Sequence, residues 1–139
     1  VTRVEFIKLS RAEKAKHLCT LAEKFFEEGK KVLITVQDDN QGVTLDRFMW
    51  TWRKGGFVPH IYDNGAVDCL AEPVIIVTGE RNPNGASVLI MGKPCSLDFI
   101  RHFERVIDFA EVYDDELAKA ARKRFAGFRR AGFEVAMRQ

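Results

Sequence analysis

Three short apolar runs constrain this chain more than anything else in it: residues 31–36 (KVLITV), 73–78 (PVIIVT) and 87–91 (SVLIM). Each is rich in β-branched residues, and none alternates apolar with polar. A strand with one wet face must alternate, so runs of this kind are strands covered on both faces. A sheet lying between two helical layers provides that cover.

The intervening segments supply the helices. Residues 4–9 read as a first strand. Ser10 followed by Glu13 forms a capping-box pattern that predicts the start of a helix there. Leu18, Leu21, Ala22 and Phe25 continue it at helical spacing, and Gly29 closes it. Residues 37–40 (QDDN) form a polar loop, and a second helix is expected over 41–53 with Leu45, Phe48, Met49 and Trp52 as its buried stripe. Trp50 lies about 140° from the centre of that stripe, so this indole needs a neighbour other than the core. Residues 57–60 (FVPH) contain a proline and read as an edge segment. Residues 79–85 (GERNPNG) predict a hairpin-like link. A short helix opens at 95–98, and residues 104–109 fit either its end or a strand. Tyr113, Asp114 and Asp115 then lead into a last helix with Leu117, Ala121, Phe125 and Phe128 on its apolar stripe, ended by Ala131 and Gly132. The expected fold is one α/β domain over 1–139, a three-layer sandwich with a mostly parallel central sheet.

Charge separates the ends of the chain. Net charge is +2, yet from residue 117 onward seven Lys and Arg face a single Glu, a local +6. The other fifteen bases meet nineteen acids, a local −4. A basic end on an acidic body points to an anionic partner at that end. Lys119, Arg122 and Arg129 share a helix face at i, i+3 and i+10, flanked by Lys123 and Arg130. Phe125 follows Arg122 by three, which places a ring and a guanidinium on one surface. An acidic peptide with an apolar end suits that pair, and direct binding of nucleic-acid phosphates is the alternative.

Other chemistries find little support. No GxxxxGK[ST] or GxGxxG is present, and the first strand-to-helix junction, LSRAEK, has no glycine through which a phosphate could approach the backbone. GxSxG is absent. His17, His60 and His102 have no partner at recognisable spacing, His60 in its loop being the most available. Cys19, Cys69 and Cys95 form no CxxC, so neither a metal site nor a disulfide framework is expected, and no cofactor. No apolar run reaches 18 residues, and the charged N-terminal stretch does not read as a signal peptide, which leads us to expect a cytoplasmic location without membrane attachment.

Several segments together resemble the chi subunit of bacterial DNA polymerase III. DRFMWTWRKGGFVPH (46–60) is similar to its D-x-x-x-W…F-V-P-H segment, and GKKVLITVQD (29–38) to its G-K-R-V-L-I strand. RVIDF (105–109), followed by LAKAARKRFAGFRRAGFEV, resembles its closing helix. The resemblance implies a mononucleotide-binding-like fold without a P-loop, in a non-catalytic clamp-loader accessory subunit. It implies a replisome-associated adaptor that binds the acidic, aromatic-ended C-terminal tail of single-stranded-DNA-binding protein, reaching nucleic acid indirectly, and that joins the clamp loader through the psi subunit. Carried over, Trp50, Arg122 and Phe125 match the tail-binding surface, with Lys119 and Lys123 assisting. Phe57, with Val58 and Pro59 beside it, matches the apolar projection that enters psi. Ala118 stands where known members carry a Lys, Phe125 replaces a Tyr, and the loop near Val112 is one residue longer.

Overall fold

A computed structural model describes residues 2–52, 58–65 and 71–138. The three apolar runs become β2 (Val32–Thr35), β4 (Val74–Val77) and β5 (Val88–Met91), and every residue of all three is buried. The first strand is β1 (Arg3–Leu9), and edge strand β3 (His60–Asp63) starts only at the last residue of the expected edge segment. The ambiguous stretch at 104–109 is a strand, β6 (Arg105–Glu111), and a strand that the periodicity did not announce, β7 (Glu134–Arg138), follows the last helix. All seven form one sheet in the order β3-β4-β2-β5-β6-β1-β7, parallel at every pairing.

The helices are α1 (Lys14–Glu27), α2 (Asp39–Thr51), α3 (Leu97–Ile100) and α4 (Asp115–Arg130). Two local expectations need correction. The Ser10/Glu13 capping box does not form: α1 begins at Lys14, and Glu13 makes no side-chain cap bond. Tertiary contacts hold that end instead, with Lys14 Nζ 2.9 Å from a Glu111 carboxylate oxygen and 3.2 Å from the Gly92 carbonyl. Nor do residues 79–85 make a hairpin. β4 and β5 are parallel and β2 lies between them, so this link is a crossover that returns from the end of β4 to the start of β5 past β2. Its turn chemistry is real but serves a loop, in which the Asn82 side chain bonds both the N–H (2.8 Å) and the C=O (3.0 Å) of Ala86.

Crossover handedness decides which face each helix occupies. From β1 through β2 to β3 the chain steps toward one edge of the sheet. It then reverses and steps through β4, β5 and β6 to β7 at the other edge. Parallel crossovers are right-handed, so the two legs put their helices on opposite faces. Accordingly α1 and α2 bury Leu18, Phe25, Leu45 and Met49 in one core, while α3 and α4 bury Ile100, Ala121 and Phe128 in the other. Successive strand residues alternate between the two, Leu33 entering the second core and Ile34 the first. Gly42 lets the β3 edge close against α2, because a Cβ there would fall inside the Tyr62 ring. No helix among the described residues is long and apolar enough to cross a membrane.

Candidate functional site

Helix α4 is built to expose one cationic face. Asp114 caps its start by accepting from the Leu117 N–H at 2.9 Å, and Asp115 and Glu116 occupy the first turn. Arg129 and Arg130 occupy the last, so both ends complement the helix dipole. The inner face buries Ala121 and Phe128, and the half-buried Phe125 sets its ring 5.4 Å from Phe6. Burying a side chain the size of Phe128 contributes about 1.5–3 kcal/mol.

The bases of α4 divide by angle. Arg124 lies on the core side, about 60° from Ala121 at 100° per residue. It donates from Nε to Asp108 Oδ2 at 2.8 Å and from Nη2 to Asp108 Oδ1 at 3.2 Å and the Phe109 carbonyl at 3.1 Å. Asp108 is only 2 % exposed, and burial raises its pKa against the opposing pull of Arg124. Arg124 is thus a structural clamp from α4 to β6, a role its composition count hides and its helical angle reveals. Lys119, Arg122, Lys123, Arg129 and Arg130 fall within an arc of about 120° on the outer side. All five are exposed, and none has a carboxylate partner among the described residues. Such a row can hold an extended anion, with the Phe125 ring at its border.

Trp50 is exposed as its angle required (52 %). It does not, however, join Arg122 and Phe125. Its ring stands 4.6 Å from that of His60, the first residue of edge strand β3. Helix α2 lies on the α1 face of the sheet, whereas α4 lies on the other face and packs on β6 and β7. β3 and β6 are four strand spacings apart, about 19 Å across the sheet alone. One peptide end held by both Trp50 and Arg122 would therefore have to reach across both faces of the sheet, and the reason is the reversal of chain direction after β3.

The β3 corner brings other corrections. Val58 is 3 % exposed and belongs to the α1–α2 core, so it is not part of a surface projection; Pro59 is half-buried. Phe57 lies outside the described residues, as does Cys69. His60, expected to be the most available histidine, is buried beneath α2. Its Nδ1 is 2.7 Å from the Val58 carbonyl oxygen, and its Nε2 is 3.2 Å from the Asp46 carbonyl and 3.2 Å from Asp46 Oδ1.

A crevice of about 530 Å³ opens between α1 and α2 at the carboxyl ends of the strands, lined by Leu18, Val36, Leu45 and Phe48. Open α/β sheets bind ligands at this position. Among the described residues the one cation lining it, Lys14, is already bridged to Glu111, leaving no free positive charge there for a phosphate. Among the described residues no cluster of His, Cys, Asp and Glu could hold a metal ion. Burial pushes the thiols of Cys19 and Cys95 up to about 12 and about 11, away from thiolate chemistry.

Comparison with known proteins matches residues 1–136 to the family described as DNA polymerase III chi subunit, HolC. The protein named DNA polymerase III subunit chi in Escherichia coli K12 is 31 % identical over 118 residues, 85 % of this chain and 80 % of that one. Its namesake in Pseudomonas aeruginosa is 30 % identical over 138 residues, 97 % and 94 % of the two chains. That of Haemophilus influenzae is 32 % identical over 117 residues, 84 % and 81 %.

Proposed function

The chain belongs to the DNA polymerase III chi subunit family, and from that premise we propose that it is a non-catalytic adaptor of the polymerase III holoenzyme with two docking corners. The outer face of α4 takes the acidic C-terminal tail of single-stranded-DNA-binding protein. The α2–β3 corner meets the psi subunit of the clamp loader. The observation that carries the first assignment is Arg122, exposed and without a carboxylate partner among the described residues, one turn from the half-buried Phe125 ring. Arg122 grips the terminal carboxylate of the tail, Phe125 supports its terminal ring, and Lys119, Lys123, Arg129 and Arg130 face the upstream acids. Trp50 moves from the tail site to the psi corner, on the side of Pro59.

A charge-assisted bond contributes about 1.5–3 kcal/mol, and burial of the tail's ring adds a similar amount. Association entropy consumes much of the sum, so the expected affinity is about micromolar and falls with salt. Calorimetric titration with the host's own tail peptide, beside a control lacking the last residue, tests the reading. It predicts binding of the first and loss of the second. Equal binding of both peptides overturns the carboxylate-and-ring assignment.

Direct binding of nucleic acid is the second reading, favoured by the five cations spread over about 16 Å of helix. Titration with a single-stranded oligonucleotide separates the two. Length-dependent association at physiological salt without any tail peptide supports direct binding, and its absence leaves the peptide as the ligand.

A further inference from the structure

Two Asn–Gly pairs occur in this chain, Asn64–Gly65 and Asn84–Gly85, and the fold treats them in opposite ways. We propose that Asn64–Gly65 is a site of self-modification, at which Asn64 is converted to aspartate and isoaspartate, and that the fold shields Asn84–Gly85 from the same reaction.

The chemistry needs no reactant but water. The backbone nitrogen of the following residue loses its proton and attacks the Asn side-chain carbonyl carbon. An N–C bond forms, the C–N bond to the side-chain amide breaks, and ammonia leaves with a proton. Water then opens the five-membered succinimide at either carbonyl. One route yields aspartate; the other yields isoaspartate, with the chain rerouted through the side chain. The net change is amide plus water to carboxylic acid plus ammonia. Glycine in the second position favours closure of the ring because no Cβ crowds the attacking nitrogen.

Asn64–Gly65 lies open to water. Asn64 and Gly65 are exposed and lie beyond the last residue of β3, outside any helix or strand. Gly65 has φ +97°, in the left-handed region, and nothing lies within 4 Å of where its Cβ would stand. Its N–H donates to Asp63 Oδ1 at 2.8 Å, and Arg81 in turn holds Asp63 at 2.9 Å, which keeps this nitrogen in a fixed place at the surface. Water reaches both residues.

At Asn84 the surroundings oppose each step. Asn84 is 5 % exposed. The amide nitrogen that must leave donates to the carbonyls of Glu72 (3.0 Å), Val32 (3.5 Å) and Pro73 (3.5 Å), tying the loop to the starts of β2 and β4. Its Oδ1 is buried and accepts from no donor among the described residues, so no side chain polarises the carbonyl under attack.

Conversion at Asn64 places a second carboxylate next to the buried Asp63, which has one Arg81 to balance it. Isoaspartate also adds a backbone atom where the edge strand ends. This inference rests on none of the partner assignments above.

The test is incubation of the intact protein in mildly alkaline buffer, folded and in parallel in guanidinium, followed by peptide mapping and enzymatic isoaspartate detection. Because a buried site reacts only through local opening, Asn84 should convert at least about tenfold more slowly folded than unfolded, while Asn64 stays within about threefold of its unfolded rate. Protection of Asn64 as strong as that of Asn84 overturns the proposal, as does conversion of Asn84 in the folded protein at its unfolded rate.

Discussion

The α2–β3 corner and the outer face of α4 are both exposed and both made by an amphipathic helix on a parallel sheet, yet they offer opposite chemistry. The first presents an indole over a buried imidazole, next to a proline-bearing edge segment. The second presents five cations, without carboxylate partners among the described residues, beside a half-buried phenyl ring. They occupy opposite faces near opposite edges, because the chain reverses direction between them. Residues that read as one motif along the chain can therefore belong to two surfaces. The same lesson holds inside α4, where Arg122 and Arg124 are two residues apart and only Arg124 is committed to the core.

The comparison breaks most visibly at that clamp. Arg124→Ala leaves Asp108 buried without its partner and should cost about 3–5 kcal/mol in chemical denaturation, whereas Arg122→Ala should leave stability unchanged. Replacing Arg124 and Asp108 together by Leu should recover most of the loss. The pH dependence has a definite sign. Burial already holds the folded pKa of Asp108 above its ordinary carboxyl value, and loss of Arg124 removes the interactions that lower it. Protonated Asp108 then favours the folded state, and this contribution is lost as pH rises through the folded pKa. The gap between Arg124→Ala and the parent should therefore narrow as pH falls; a gap that widens contradicts the assignment.

Next in size is the tail site. Arg122→Ala should weaken tail-peptide binding at least tenfold, the equivalent of about 1.5–3 kcal/mol. Trp50→Ala should shift that affinity by less than about twofold, since removal of a distant group adds no coupling. If the two variants lose tail binding equally, the separation of the corners is wrong. In the other direction, Trp50→Ala should weaken association with psi by about 2 kcal/mol, as truncation of an interface Trp typically does, while Arg122→Ala leaves it intact. Surface plasmon resonance with each partner reads both.

Salt gives the smallest effect and sharpens the contrast. Raising ionic strength from about 0.05 M to 0.3 M should lower tail affinity several-fold by screening the α4 cations, and should change psi affinity less. Equal salt dependence at the two corners would argue that charge dominates both.

Much of this was legible before any coordinates. The unbroken run at residues 31–36 announced a central strand, and β2 is buried at every position. The off-stripe angle of Trp50 announced its exposure, and the acids at 114–115 and Gly132 announced the span of α4. Other elements were not legible, for identifiable reasons. β7 reads EVAMR, with charges at both ends, and acquires strand geometry only from the waiting edge of β1, where Glu134 pairs with Arg3. Residues 104–109 have no period that separates helix from strand, and their place between β5 and β1 decides. The capping box at Ser10 was outweighed by Lys14 and its contacts with Glu111 and Gly92, over 90 residues and 78 residues away in the chain. Val58 and His60 looked like loop residues and are buried because α2 covers them.

By itself the sequence determined the layers of this protein, the helical angle of each exposed side chain and the positive charge of its last helix, because these follow from periodicity and composition within one segment. Only the tertiary structure decided which exposed groups are neighbours, which arginine is a clamp and which asparagine is shielded. Those outcomes depend on the order and direction in which parallel strands join the sheet, and that order is a property of long-range packing rather than of any local stretch.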